Sequence, residues 1–187
     1  MTKGEALQDR MTAAIIDSAA AVLAERGGAA SMEEIASAAG IGRATLYRYF
    51  RNREELLAAM AAASVRELAA RIADANLDAV GFEEAIARLA RGIIATGSKY
   101  VALTADGARR TDTAHPDVQA TVVEPMRALF RRAAADGSVR ADLPPDVLVD
   151  LFSGLVRGSL DAAAAGRGVE ELAAAVTTVF LRGARPS

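Results

Sequence analysis

Apolar residues recur at three- and four-residue spacing along most of the chain, the pattern of helices with one buried face. From Arg10 to Arg26 the positions Ile15, Ala19, Val22 and Leu23 predict a helix that Gly27 and Gly28 end. The polar residues 1–9 ahead of it read as a mobile arm or a frayed first turn. In the next stretch Met32, Ile35, Ala36 and Ala39 share a face, and Ser31 with Glu34 three residues on forms a capping box. Gly40 stops that helix, Ile41 is an apolar plug, and Gly42 allows a tight reversal into a second short helix. There Leu46 and Phe50, four apart, point inward together. Asn52 then caps a long uninterrupted helix, with Glu55 in the boxed position, through Leu56, Leu57, Met60, Leu68 and Ile72 to about Asp74. At ~1.5 Å per residue it is about 30 Å long.

After a break over 76–81, a helix from Phe82 carries Ile86, Leu89, Ile93 and Ile94 and is interrupted by Gly97 and Ser98. A further piece over 99–108 holds Tyr100, Val101 and Leu103, and a polar loop follows to His115. Pro116 opens the next helix, which ends at Asp136 and Gly137. Pro125 inside it predicts either a kink or two helices meeting near Glu124, because proline removes a backbone donor and crowds the preceding turn. Pro144 and Pro145 open a helix rich in apolar residues, and a last one runs from Val169 to about Leu181. The sum is an all-α chain of about nine helices: a three-helix head, then a larger helical part. The last two helices are apolar over more surface than one core requires. That surplus reads as a subunit interface through Leu151, Leu155, Gly158, Leu172, Val176 and Phe180, two helices per chain making a four-helix bundle. The competing reading is a hairpin buried within a monomer.

Composition supports helices: 52% of the 187 residues are hydrophobic but only 4% are aromatic, and alanine makes up the excess. The absence of cysteine excludes disulfides, thiolate metal sites and cysteine nucleophiles. No apolar run approaches the ~20 residues that span a bilayer, and the N-terminus has no signal-peptide core, so no membrane partner and a cytoplasmic location are expected. The net charge of -2 argues against a protein that coats nucleic acid indiscriminately. Charge is unevenly placed, however. Residues 1–53 hold 7 Lys and Arg against 6 Asp and Glu, and Arg43, Arg48, Arg51 and Arg53 fall in a stretch without any acid. With Leu46 and Phe50 inward, the outer surface of the second short helix carries arginines, tyrosines and a threonine, groups suited to phosphates and base edges.

The segments Ser31-Met-Glu-Glu-Ile-Ala, Ala39-Gly-Ile-Gly-Arg-Ala-Thr-Leu-Tyr-Arg-Tyr-Phe and Arg51-Asn-Arg-Glu-Glu-Leu-Leu resemble the N-terminal DNA-binding domain of the tetracycline-repressor (TetR) family. The resemblance covers roughly residues 10–57. It implies a helix-turn-helix domain over 1–52, a ligand-binding and dimerisation domain over 53–187, and double-stranded operator DNA, a small-molecule effector and a second copy of the chain as partners. DNA contact is then expected at Ser31, Arg43, Ala44, Thr45, Tyr47, Arg48, Tyr49 and Arg53. Arg43 is the base-reading candidate, and Arg53 meets the flanking backbone. Where such heads often carry a serine or similar capping group, this chain has Gly42, which removes one phosphate contact.

Other chemistry is sparse. His115 is the only histidine and stands in a polar loop, and no Glu-x-x-His pair or glycine-rich phosphate loop occurs, so neither catalysis, a metal nor a cofactor is expected. Met60, Phe82, Tyr100, Leu103, Met126 and Phe130 are candidates to line a ligand pocket, although ordinary core is the favoured reading for any one of them. The expected function is a ligand-responsive transcriptional regulator, most simply a repressor released from a palindromic operator by its effector. The alternative is a helical ligand-binding or scaffolding module that does not bind DNA.

Overall fold

A computed structural model describes residues 2–100 and 116–185 of the chain. Eight helices of seven residues or more, and no strands, occur among them: α1 (Lys3–Arg26), α2 (Met32–Ala38), α3 (Arg43–Tyr49), α4 (Arg53–Asp74), α5 (Phe82–Lys99), α6 (Glu124–Ala135), α7 (Pro145–Ala164) and α8 (Val169–Ala184). Residues 101–108 of the helix expected over 99–108, Leu103 among them, and the loop containing His115 lie outside the described residues. The backbone forms two compact units. One comprises the chain through Ser64 together with Lys99 and Tyr100, and the other comprises Val65–Ser98 and the chain from 116 onward.

The first unit is built on short-range signals. The arm expected at the N-terminus is instead helix: Thr2 caps α1 by accepting from the Glu5 amide at 3.3 Å, while the Glu5 carboxylate accepts from the Thr2 amide at 2.6 Å. Ser31 and Glu34 make the same box at α2, with Glu34 N–H to Ser31 Oγ at 3.2 Å and Ser31 N–H to Glu34 Oε2 at 2.9 Å. Gly40 takes a φ of +67°, and the amides of Gly40 and Ile41 return to the carbonyls of Ser37 and Ala36, each at 3.0 Å. A side chain at that backbone angle would be strained, which is why glycine closes the helix. Ile15, Ala19, Leu23, Ile35, Leu46 and Phe50 form the miniature core. Leu56 and Met60 of α4 are also fully buried in it, and Tyr100 is buried against them. The compact head therefore extends past residue 52.

The second unit is centred on rings. Phe130 lies 5.5 Å from Phe82, 6.2 Å from Phe152 and 5.7 Å from Phe180, and Phe152 is 5.2 Å from Phe180, mostly edge to face. Four of the five phenylalanines thus share one cluster, whereas the three tyrosines all belong to the head. Two irregularities differ from the sequence expectation. Gly97 and Ser98 do not interrupt α5. A Cβ at Gly97 would stand 2.4 Å from Leu160 Cδ2, so glycine here admits the α7 side chain instead of breaking the helix. The disturbance expected at Pro125 takes the form of a π segment, Gln119–Val123, following a single turn over Pro116–Val118. The Glu124 amide bonds to the Gln119 carbonyl, and this widened turn precedes the proline that could not have donated.

The expected interface divides in two. Leu172, Val176 and Phe180 are buried within the chain, because the α8 face that carries them closes over Phe130 and Phe152. Leu151, Leu155 and Gly158 are exposed on α7. Val147 at 40% exposure, Leu151 at 52% and Leu155 at 37% lie four apart along one side, and Val179 on α8 is 59% exposed. The candidate pocket residues also part company. Met60 and Tyr100 belong to the head core, while Met126 and Phe130 are buried in the second core with Phe82 packed against it.

Candidate nucleic-acid interface

The reading face is α3 and what surrounds it. Leu46 and Phe50 are buried, which turns Arg43, Ala44 and Arg48 fully outward and leaves Thr45, Tyr47 and Tyr49 half-buried. Gly42 is the N-cap of α3 and offers no side chain, though its carbonyl accepts the Thr45 and Leu46 amides at 2.9 and 3.1 Å. The Arg43 guanidinium lies 5.5 Å from the centre of the Tyr47 ring, and that of Arg48 lies 5.8 Å from the Tyr49 ring. These rings give the arginines an apolar surface to lie on while their N–H groups stay available.

Two expected contacts have structural duties as well. The Ser31 hydroxyl is occupied in the cap of α2, accepting from the Glu34 amide and donating to Glu34 Oε2 at 3.1 Å. Arg53 is half-buried, and its Nη1 donates to the Ala30 carbonyl at 2.5 Å, tying the start of α4 to the residue before the α2 cap. The Ser31 amide and hydroxyl, with the Arg26 guanidinium beyond them, hold the Glu34 carboxyl below the usual range. Glu55 is lowered likewise, first by the Arg51 amide and then by the Arg51 side chain. The caps are thus charged acceptors over the ordinary pH range.

Three features of the face were missed by sequence reasoning. Gly4, Leu7 and Gln8 of α1 line an open groove of about 300 Å³ beside Arg48 and Tyr49. The signal for it was the Thr2-x-x-Glu5 capping box, which extends α1 far enough to reach α3. Arg43 also forms an ion pair with Glu33 across the turn. Lys99 reaches Asp17 of α1 at 2.9 Å and lies 5.0 Å from the Tyr100 ring.

A capped helix-turn-helix with an outward basic and aromatic face defines a DNA-binding transcriptional regulator. Residues 15–60 match the family model described as bacterial regulatory proteins, tetR family. No curated protein matches the chain. Among solved structures, the TetR-like transcriptional regulator LfrR from Mycobacterium smegmatis, in complex with proflavine, is similar at 26% identity over 93% of this chain and 96% of its own, with a TM-score of 0.73. The TetR transcriptional regulator SCO0520 from Streptomyces coelicolor is 26% identical over 94% of this chain and 99% of its own, with a TM-score of 0.65. FadR from Bacillus subtilis, solved with stearoyl-CoA, shares the fold at 16% identity and a TM-score of 0.65, covering 91% of this chain and 97% of its own. Among the described residues no helix is long and apolar enough to cross a membrane.

Proposed function

We propose that the chain is a homodimeric repressor that holds a palindromic operator through two heads, with DNA contact from residues 1–52, and leaves it when residues 53–187 bind a small-molecule effector. The observation that carries the reading is the α3 face: Arg43 and Arg48 lie outward against tyrosine rings while Leu46 and Phe50 anchor the helix from behind. Arg43 reads a base, most naturally guanine O6 and N7. Thr45, Tyr47, Tyr49 and the amides near Ala44 meet phosphates, Arg48 serves either, and Ser31 and Arg53 sit at the flanks.

The exposed stripe of Val147, Leu151 and Leu155 with Val179 supports pairing through α7 and α8, since side chains of this kind in such a line are costly to leave in water. Effector sensing is supported by the proflavine complex of LfrR, a regulator covered almost end to end by this chain. Phe82, Met126 and Phe130 are the candidate lining that lies in the second unit. The chain carries out no catalysis in this reading and works in the cytoplasm. Two heads fit successive major grooves only when their reading helices stand about 34 Å apart, and an effector that prefers a differently spaced dimer releases the DNA.

Footprinting on the DNA around the chain's own coding region tests the reading. A protected, two-fold symmetric site whose binding weakens steeply with salt is the expected result. Binding that ignores sequence, or no binding at low salt, overturns it in favour of a module that does not bind DNA.

A further inference from the structure

Arg43 is not a loose side chain. Its Nη1 is paired with the carboxylate of Glu33 on α2, and its guanidinium carbon lies over the Tyr47 ring, 5.5 Å from the ring centre. Both partners of the ion pair remain largely in water, with side-chain exposures of 62% for Arg43 and 63% for Glu33. The cap of α2 is made by Ser31 with the neighbouring Glu34, not by Glu33. What Glu33 does touch is the side chain that the proposed function assigns to guanine O6 and N7.

We infer that Glu33 is a specificity-determining residue that acts through Arg43, a step that rests on the DNA reading given above. Guanine is recognised when two parallel N–H groups of an arginine meet O6 and N7, so the plane of the guanidinium has to be set before contact. A free arginine side chain carries ~2 kcal/mol of rotamer entropy that ordering removes. The carboxylate and the ring together fix the plane in advance, and the remaining N–H groups are left to meet the base.

The same carboxylate discriminates against wrong sequences. On a site without matching acceptors, Arg43 stays neutralised by Glu33 and adds no net attraction for the phosphates. On the operator, the base acceptors engage the guanidinium and restore that attraction. Specificity is a difference of affinities, and Glu33 widens it chiefly by weakening the unwanted complex.

The test uses the full-length chain with the footprinted operator and a scrambled duplex of equal length, in the wild type, E33Q, R43A and the double variant. Glu33→Gln should bind the scrambled duplex about two- to fivefold more tightly, the size of an exposed ion pair. Its salt dependence there should steepen by about one phosphate contact. Operator binding should change less, so the operator-to-scrambled ratio falls. In the R43A background the same substitution should no longer move the ratio. Side-chain 15N relaxation at Arg43 Nε in the DNA-free protein should show a more mobile guanidinium in E33Q, with the thermal melt close to wild type. An unchanged ratio in E33Q, an equal loss of ratio with R43A present, or an Arg43 equally ordered in both proteins overturns the role of Glu33. A wild-type chain that does not distinguish the two duplexes overturns the DNA reading itself, which is a separate result.

Discussion

Arg43 and Arg53 are both arginines of the head, yet their surroundings assign them different effects. Arg43 is exposed and held by exchangeable partners, so Arg43→Ala should relax base preference at one operator position, by about 1–3 kcal/mol of discrimination, with little effect on folding. Competition binding with single-base operator variants measures it. Arg53 donates into the backbone at Ala30, so Arg53→Ala should weaken all sequences alike, reduce the salt slope by about one, and also lower the stability of the head by about 1 kcal/mol. A salt titration beside a denaturant melt separates the two losses. The outward placement of Arg43 was legible in the sequence, because Leu46 and Phe50 identify the inner face by their four-residue spacing. Glu33 was not. Ten positions separate it from Arg43, and no local pattern states that a turn will bring a carboxylate to that guanidinium.

Helix ends are where this chain states its fold most plainly, and they are also where it responds to acid. Glu34 and Glu55 both have folded-state pKa values lowered by hydrogen bonds to backbone and side chain. A lowered carboxylate contributes stability that is fully present above its unfolded value, about 4.3, and is lost as pH falls through the lower folded value. The head should therefore melt more easily below about pH 4.3. Glu34→Gln should flatten that part of the pH dependence, which thermal melts across pH 3 to 6, on the order of the carboxylate range, would show. Gly97 makes the opposite point about legibility. Read as an interruption, it proved to be the place where Leu160 enters, information held by a residue 63 positions away. Gly97→Ala gains helix propensity but forces Leu160 aside, for a net loss of about 1 kcal/mol. Adding Leu160→Ala should cost less than the two substitutions summed, and a double-mutant cycle by denaturant unfolding measures the coupling.

The whole chain is read with uneven clarity. Its head is written in capping boxes and glycine stops, signals complete within four to six residues, whereas α7 and α8 are apolar on more than one side. Periodicity alone cannot say which of two apolar faces meets the chain's own core. Leu172, Val176 and Phe180 had the same spacing as a dimer seam, and only the ring cluster around Phe130 reveals that they close over it. The two faces now make separable predictions. Leu151→Asp with Leu155→Asp should convert a dimer to folded monomers by sedimentation and weaken operator binding, since one head alone lacks the second half-site. Leu172→Ala should instead reduce chain stability by about 2–5 kcal/mol. The division of aromatic residues gives this experiment its own readout. With no tryptophan in the chain, tyrosine emission and tyrosine near-ultraviolet dichroism arise from the head alone, and the phenylalanine bands arise mainly from the ring cluster of the second unit. Each unit therefore carries a native, spectrally distinct reporter, and whether head and body unfold together or in sequence can be read from unlabelled protein.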